Sequence, residues 1–103
     1  MSITVSVQAN GSQASVQVKG VLDSMSQAAF KQQLEPVLAN GAVNQIKLDF
    51  AGLQSMEASS AGMLMMLSHT AKSKNKGIGI VNANQAVLAL MHKANLGKVM
   101  SIQ

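Results

Sequence analysis

Between Ile46 and Val81 the hydrophobic period of the chain changes twice, and those changes restrict the possible folds more than any other feature. Ile46, Leu48 and Phe50 alternate with Lys47 and Asp49, which is the pattern of a strand with one buried face. From about Ser59 to Lys74 the apolar spacing becomes helical, and Gly77 to Val81 is a short apolar run of strand length. Strands that alternate with helices call for a mixed sheet carrying its helices on a consistent side. Beyond Asp49 the sequence predicts an irregular segment with one acid and two hydroxyls, Glu57, Ser59 and Ser60, leading into the helix.

The flanking segments extend this pattern. Ile3, Val5 and Val7 alternate with Thr4, Ser6 and Gln8, and Val16 and Val18 with Ser15, Gln17 and Lys19, around Asn10-Gly11. That spacing predicts a hairpin with one buried and one solvated face. After Leu22, Asp23 and Ser24 are candidate N-caps, with Gln27 placed to complete a capping box from Ser24. Phe30, Leu34, Val37 and Leu38 then form one helical stripe. Pro36 predicts a kink or a shortened helix, and Asn40-Gly41 its end. Asn82 or Asn84 can cap a third helix whose buried face holds Val87, Leu90, Met91 and Ala94, and Val99 to Ile102 can add an edge strand. The expected order is ββαβαβαβ.

Composition removes several classes of function. With 103 residues and 48% hydrophobic content the chain suits one domain with a real core. The absence of cysteine excludes disulfides and thiolate chemistry, and His69 and His92 have no carboxylate at close helical spacing, so no metal site is expected. The net charge of +4 comes from scattered lysines without arginine, tryptophan or tyrosine, which argues against a nucleic-acid reader. No apolar stretch approaches the roughly 20 residues of a membrane span, and a cytoplasmic chain without direct membrane insertion is expected. Neither a nucleophile elbow nor a phosphate-binding glycine loop is present, so no enzymatic role and no cofactor are expected.

The remaining signal lies at the second helix. Its unpaired amides carry partial positive charge, which suits Glu57 before the helix and Ser59 or Ser60 in its first turn. Plain capping accounts for these residues as well. Ala61, Met63, Leu64, Met65, Met66 and Leu67 cover more surface than a single core stripe needs. Leu64, Leu67 and Ala71 are the expected core residues, leaving Met63 and Met66 on a flank where thioethers suit a partner. Asp49 is expected to order the loop after it, and Lys72, Lys74 and Lys76 to complement the end of the same helix.

Gly20-Val21-Leu22-Asp23, Leu48-Asp49 with Gly52-Leu53, and Met56-Glu57-Ala58-Ser59-Ser60-Ala61-Gly62-Met63-Leu64 together resemble the STAS domain of bacterial anti-sigma factor antagonists. The resemblance covers nearly the whole chain, including Gly77 to Val81 and the Leu96-Gly97 ending of the last helix. It implies a single STAS-like α/β domain over residues 1–103, with a mixed sheet of four to five strands and about three helices mainly on one face. In that family the second helix opens with Asp-Ser-Ser-Gly or Asp-Ser-Ala-Gly, whose first serine is phosphorylated by a serine kinase that is also the anti-sigma factor. Matched from Glu57, this chain has Ala58 at the acceptor position. Three readings stay open: the chain is insensitive to the kinase, the role has moved to Ser59 with Ser60 second, or Ala58 is an engineered substitution.

The partners that the resemblance implies are an anti-sigma factor or serine kinase of the kinase-like ATPase fold, together with a cognate phosphatase. Binding would release a sigma factor, and ATP would belong to the partner. The expected contact residues are Asp23, Glu57, Ala58, Ser59, Ser60, Met63 and Met66. The alternative is a STAS accessory subunit docked on the ATPase of a membrane lipid-transport complex.

Overall fold

The computed structural model describes residues 3–103, which form one five-stranded sheet with three helices and a short 3-10 turn. The hairpin consists of β1 (Ile3–Asn10) and β2 (Gln13–Leu22), paired antiparallel from Ile3 opposite Gly20 to Asn10 opposite Gln13. Gly11 opens the two-residue turn at φ 66°, a conformation glycine adopts without steric cost. The chain continues through α1 (Gln27–Ala39), β3 (Gln45–Met56), α2 (Ala58–Ser73), β4 (Gly77–Val81), α3 (Gln85–Lys93), the 3-10 turn Leu96–Lys98 and β5 (Ser101–Ile102).

Strand order equals chain order, and every pairing after the hairpin is parallel. Successive right-handed crossovers that always step in the same direction must lay their helices on the same side of a sheet. The burial pattern agrees. Val16, Val18, Ile46, Leu48, Phe50, Ile78 and Ile80 are buried with Phe30, Leu34, Leu64, Ala71, Val87 and Met91 of the helices. Thr4, Ser6, Gln8, Gln17, Lys19 and Lys47 occupy the solvated face. The expected mixed sheet with helices on one face is the observed architecture.

Four expectations need correction. First, the segment after Asp49 is not irregular: β3 runs on to Met56, still paired with β2. Two register shifts leave one extra residue each in β3, between the Gln17 and Lys19 pairings and between those of Gly20 and Val21. Each bulge flips the side-chain phase once, so the buried residues are Phe50, Leu53 and Met56, three apart instead of two. Gly20, at φ 107°, supplies the backbone freedom beside the second bulge.

Second, α1 neither breaks nor shortens at Pro36. Leu34 on one side of the proline and Val37 and Leu38 on the other are buried, and that packing holds the last turn despite the lost amide. Third, neither Asp23 nor Ser24 is the N-cap of α1, which starts at Gln27 after Ser26. Fourth, Lys76 does not serve the end of α2. Its side chain is buried, and Nζ donates to the carbonyls of Asn40 (2.8 Å) and Val43 (2.6 Å), satisfying the C-terminal side of α1. The third-helix expectation is met by Asn84, whose Oδ1 accepts from Val87 N at 2.9 Å.

Replacing the exposed Pro36 by alanine restores an amide to the interior of a helix whose packing is already in place. Pro36→Ala is expected to raise unfolding stability by about 1–3 kcal/mol in urea denaturation, with loss of stability as the contrary result.

Candidate functional site

The start of α2 meets the β2–α1 loop because β2 and β3 end side by side, Leu22 opposite Met56. The carbonyl of Leu22 accepts from Glu57 N at 3.0 Å and from Ser60 Oγ at 2.9 Å, which fixes where α2 begins. Glu57 is the N-cap residue of α2 by position, yet its side chain does not cap the helix. Its carboxylate crosses to the loop instead, where Oε1 accepts from Ser24 N at 2.8 Å.

The loop is braced internally as well. Asp23 Oδ1 accepts from Met25 N (3.1 Å) and Ser26 N (3.0 Å), a local turn of the kind aspartate favours. Ser26 Oγ donates to Val21 O at 2.8 Å and accepts from Asp23 N at 2.9 Å. From the first turn of α1, Gln27 Nε2 donates to both Ser59 Oγ and Ser60 Oγ, each at 3.1 Å. Two chain segments more than thirty residues apart thus form one cross-braced edge.

The expected site residues divide clearly. Asp23, Glu57, Ser59 and Ser60 are brought together by these bonds, and Ala58 is the exposed first residue of α2. Ser59 is exposed, whereas Ser60 has no accessible surface and spends its proton on Leu22. Met66 stands 71% exposed on the outer side of α2. Met63, expected beside it on a flank, is 7% exposed and belongs to the core cluster. The helix turns it inward with Leu64 and Leu67, so its contribution to a surface is the rim of its thioether along the groove between α1 and α2. That groove, of about 580 Å³, is lined by Gln27, Lys31, Leu38, Ser59, Met63 and Met66 among others.

Sequence reasoning misses Met25 and Gln27 as site residues. Met25 is 87% exposed at the loop tip, the most exposed large apolar side chain among the described residues. A methionine flanked by serines at the expected start of the first helix is the available signal, and only the structure shows that it lies in a loop. The sequence places Gln27 in a capping box, and only the fold reveals that it reaches α2. Asp49, expected to order a loop, lies inside β3 beside the first bulge, where its Oδ1 accepts from Ala51 N at 3.0 Å and from Asn82 Nδ2 at 3.2 Å. His69 and His92 are exposed and stand apart from this edge, and no group of three metal-ligating side chains exists among the described residues. Nor is any helix of the described residues long and apolar enough to cross a membrane.

A family model described as "Mlab, STAS domain" matches residues 5–102. The chain belongs to the STAS family. Solved structures similar to it include the anti-sigma factor antagonist SpoIIAA in its unphosphorylated form, at TM-score 0.80 and 17% identity over 97% of this chain and 88% of that one. A protein of Thermotoga maritima described as a putative anti-sigma factor antagonist aligns at TM-score 0.83 and 17% identity over 95% and 84% of the two chains. An anti-sigma factor antagonist from Mycobacterium paratuberculosis aligns at 0.80 and 22% over 97% and 84%. At these identities the likeness is one of fold. No curated protein matches the sequence.

Within a STAS chain the motif can also be anchored on its glycine. Ser59-Ser60-Ala61-Gly62 then agrees with Asp-Ser-Ala-Gly at three of four places, with Ser60 in place of Ala58 aligned to the serine of that motif. Matching from Glu57 favours the acid over the glycine and hides this register.

The Asp23 carboxyl gives the edge a pH signature. Desolvation opposes its ionisation, but hydrogen bonds from Ser26 and Met25 outweigh it and hold the pKa below the usual aspartate value. A depressed folded-state pKa contributes stability that is complete above the unfolded value and is lost as pH falls through the folded one. In an acid titration followed by NMR, the Met25 and Ser26 amides are expected to shift together with a midpoint below about 3.9, and Asp23→Asn to abolish the transition. A midpoint at or above the ordinary value contradicts the assignment.

Proposed function

We propose that the chain is a non-catalytic binding module of the anti-sigma antagonist type, which docks the edge formed by residues 23–27 and the start of α2 on a kinase-like ATPase partner and so frees a sigma factor. The observation that carries this reading is the pairing of a rigid, hydrogen-bonded polar edge with two strongly exposed methionines, Met25 and Met66. Preorganisation lowers the entropic cost of docking, and exposed thioethers supply adaptable apolar contact. Gly62 supports it too. An exposed helix-interior glycine costs about 1 kcal/mol relative to alanine, yet a Cβ at Gly62 would meet nothing within 4 Å. The fold has no internal need of it, and the bare backbone lets a partner approach α2 closely.

Binding to a purified kinase-like anti-sigma factor encoded in the same genome, measured by calorimetry, tests the reading. Met66→Lys should weaken it about 10-fold or more while leaving the melting temperature unchanged. Absence of binding by the unaltered chain contradicts the proposal.

For regulation we propose Ser59 as the acceptor. Its hydroxyl is exposed beside Glu57, whereas Ser60 would have to leave Leu22 and the protein interior to reach a γ-phosphate. A phosphoryl group would add about −1.5 to −2 charges at the docking edge, and repulsion would fall on the interface rather than on the core. Phosphosite mapping after incubation with the kinase and ATP is expected to find Ser59. Modification confined to Ser60 would contradict this and point to opening of the first turn of α2.

A second reading seats the same edge on the ATPase of a membrane lipid-transport complex. It is favoured by the burial of Ser60 and by Ala58, which leave neither motif register with an accessible hydroxyl at its acceptor position. Binding to the transport ATPase instead of the anti-sigma factor in the same calorimetric experiment would select it.

A further inference from the structure

Composition sets the sulfur chemistry of the docking edge. The chain has eight methionines and no cysteine, tryptophan or tyrosine, so thioethers are its most readily oxidised side chains. A peroxide meets no thiol that would consume it first. Which methionines react is then decided by access, because the oxidant must reach the sulfur lone pair from solvent.

The fold separates them into two groups. Met25 and Met66 are 87% and 71% exposed, whereas Met56, Met63, Met91 and Met100 are each 7% exposed or less. Both members of the exposed pair lie on the docking edge. Met25 tips the loop that Glu57 ties to the start of α2 through Ser24, and Met66 stands on α2 about two turns beyond that start. With Val7 they make up the exposed large apolar side chains of the described residues, and Val7 belongs to β1. The strongly exposed apolar contact that this edge offers is therefore entirely thioether, where leucine or isoleucine would be inert to peroxide.

We propose, on the docking edge assigned above, that Met25 and Met66 are a peroxide-controlled modification site, at which oxidation to the sulfoxide releases the partner and leaves the fold intact. The sulfur lone pair attacks one oxygen of hydrogen peroxide and the O–O bond breaks. The departing hydroxide takes the proton left on the transferred oxygen and forms water; sulfur loses two electrons and peroxide gains them. A docking thioether sheds its water at little cost. A sulfoxide oxygen is a strong acceptor, and covering it without a donor leaves a desolvated polar group in the interface. The buried methionines are screened from the oxidant, so the modification acts on binding and not on stability. Methionine sulfoxide reductases, one enzyme for each epimer, reverse it. This control needs no hydroxyl and operates whichever serine carries a phosphate.

The test treats the full chain with hydrogen peroxide, removes the excess with catalase, maps the added oxygen by peptide mass spectrometry and titrates the product calorimetrically against the kinase-like ATPase partner. Oxygen is expected first at Met25 and Met66, with affinity reduced about 10-fold or more, an unchanged melting temperature, and recovery after treatment with both reductases. Bound partner is expected to slow the oxidation of both residues. A Met25→Leu/Met66→Leu chain, compared with itself before and after peroxide, is expected to keep its own affinity. First oxidation at Met63, Met91 or Met100 overturns the proposal. So does a loss of affinity that persists in the doubly substituted chain or comes with a lowered melting temperature. Protection by the partner, together with undiminished binding of the oxidised chain, overturns this proposal alone. A partner that binds yet leaves both methionines open to peroxide overturns the docking edge, and this proposal with it.

Discussion

The carbonyl oxygen of Leu22 is the joint on which the candidate site depends. It receives the amide of Glu57 and the hydroxyl of Ser60, so the end of β2 sets both the point at which β3 stops and the first turn of α2. With α2 anchored there, the Glu57 carboxylate is free to leave its own helix for Ser24, and the hydroxyls of Ser59 and Ser60 fall within reach of Gln27. A buried carbonyl with both lone pairs engaged is costly to disturb, since an orphaned buried acceptor forfeits about 1–3 kcal/mol. The edge therefore holds its shape before any partner arrives.

That joint exists because β3 is longer than its alternation suggests. The bulges opposite β2 advance the strand by two extra residues and re-phase its side chains, delivering Met56 to the core and Glu57 to the surface. Asn84 fastens the bulged section from the other side, its Nδ2 donating to Leu53 O and Gln54 O, both at 3.1 Å. Ser68 ties α2 to Val99 O at 2.7 Å in the same manner. Short polar side chains thus satisfy backbone groups that the regular ladder leaves behind.

Periodicity carries most of the fold. Hairpin, helical stripes, the short β4 and the N-cap at Asn84 are all local patterns, and local patterns are legible residue by residue. The features that escape it are set by distant partners. The bulges of β3 disguise a strand as a loop, Lys76 serves α1 rather than the helix it follows, and Pro36 is outvoted by the burial of Leu34, Val37 and Leu38. At the site, Ser59, Ser60, Glu57 and Asp23 are visible as residue types at a helix start and a loop. Gln27 is visible only as a capping residue, because its true contacts lie thirty-two and thirty-three positions away. The division between Met63 and Met66 also needs the fold: helical spacing alone does not fix which flank of a broad apolar surface turns inward.

The central claim is that the edge built from residues 23–27 and 57–66 is the surface that a partner covers. Hydrogen exchange on the chain with and without a purified kinase-like ATPase partner measures this directly. The predicted result is slowed exchange at the β2–α1 loop and the first two turns of α2, with the bare sheet face around Thr4, Gln17 and Lys47 unchanged. Protection on that bare face, with the loop and α2 exchanging as in the free chain, would contradict it.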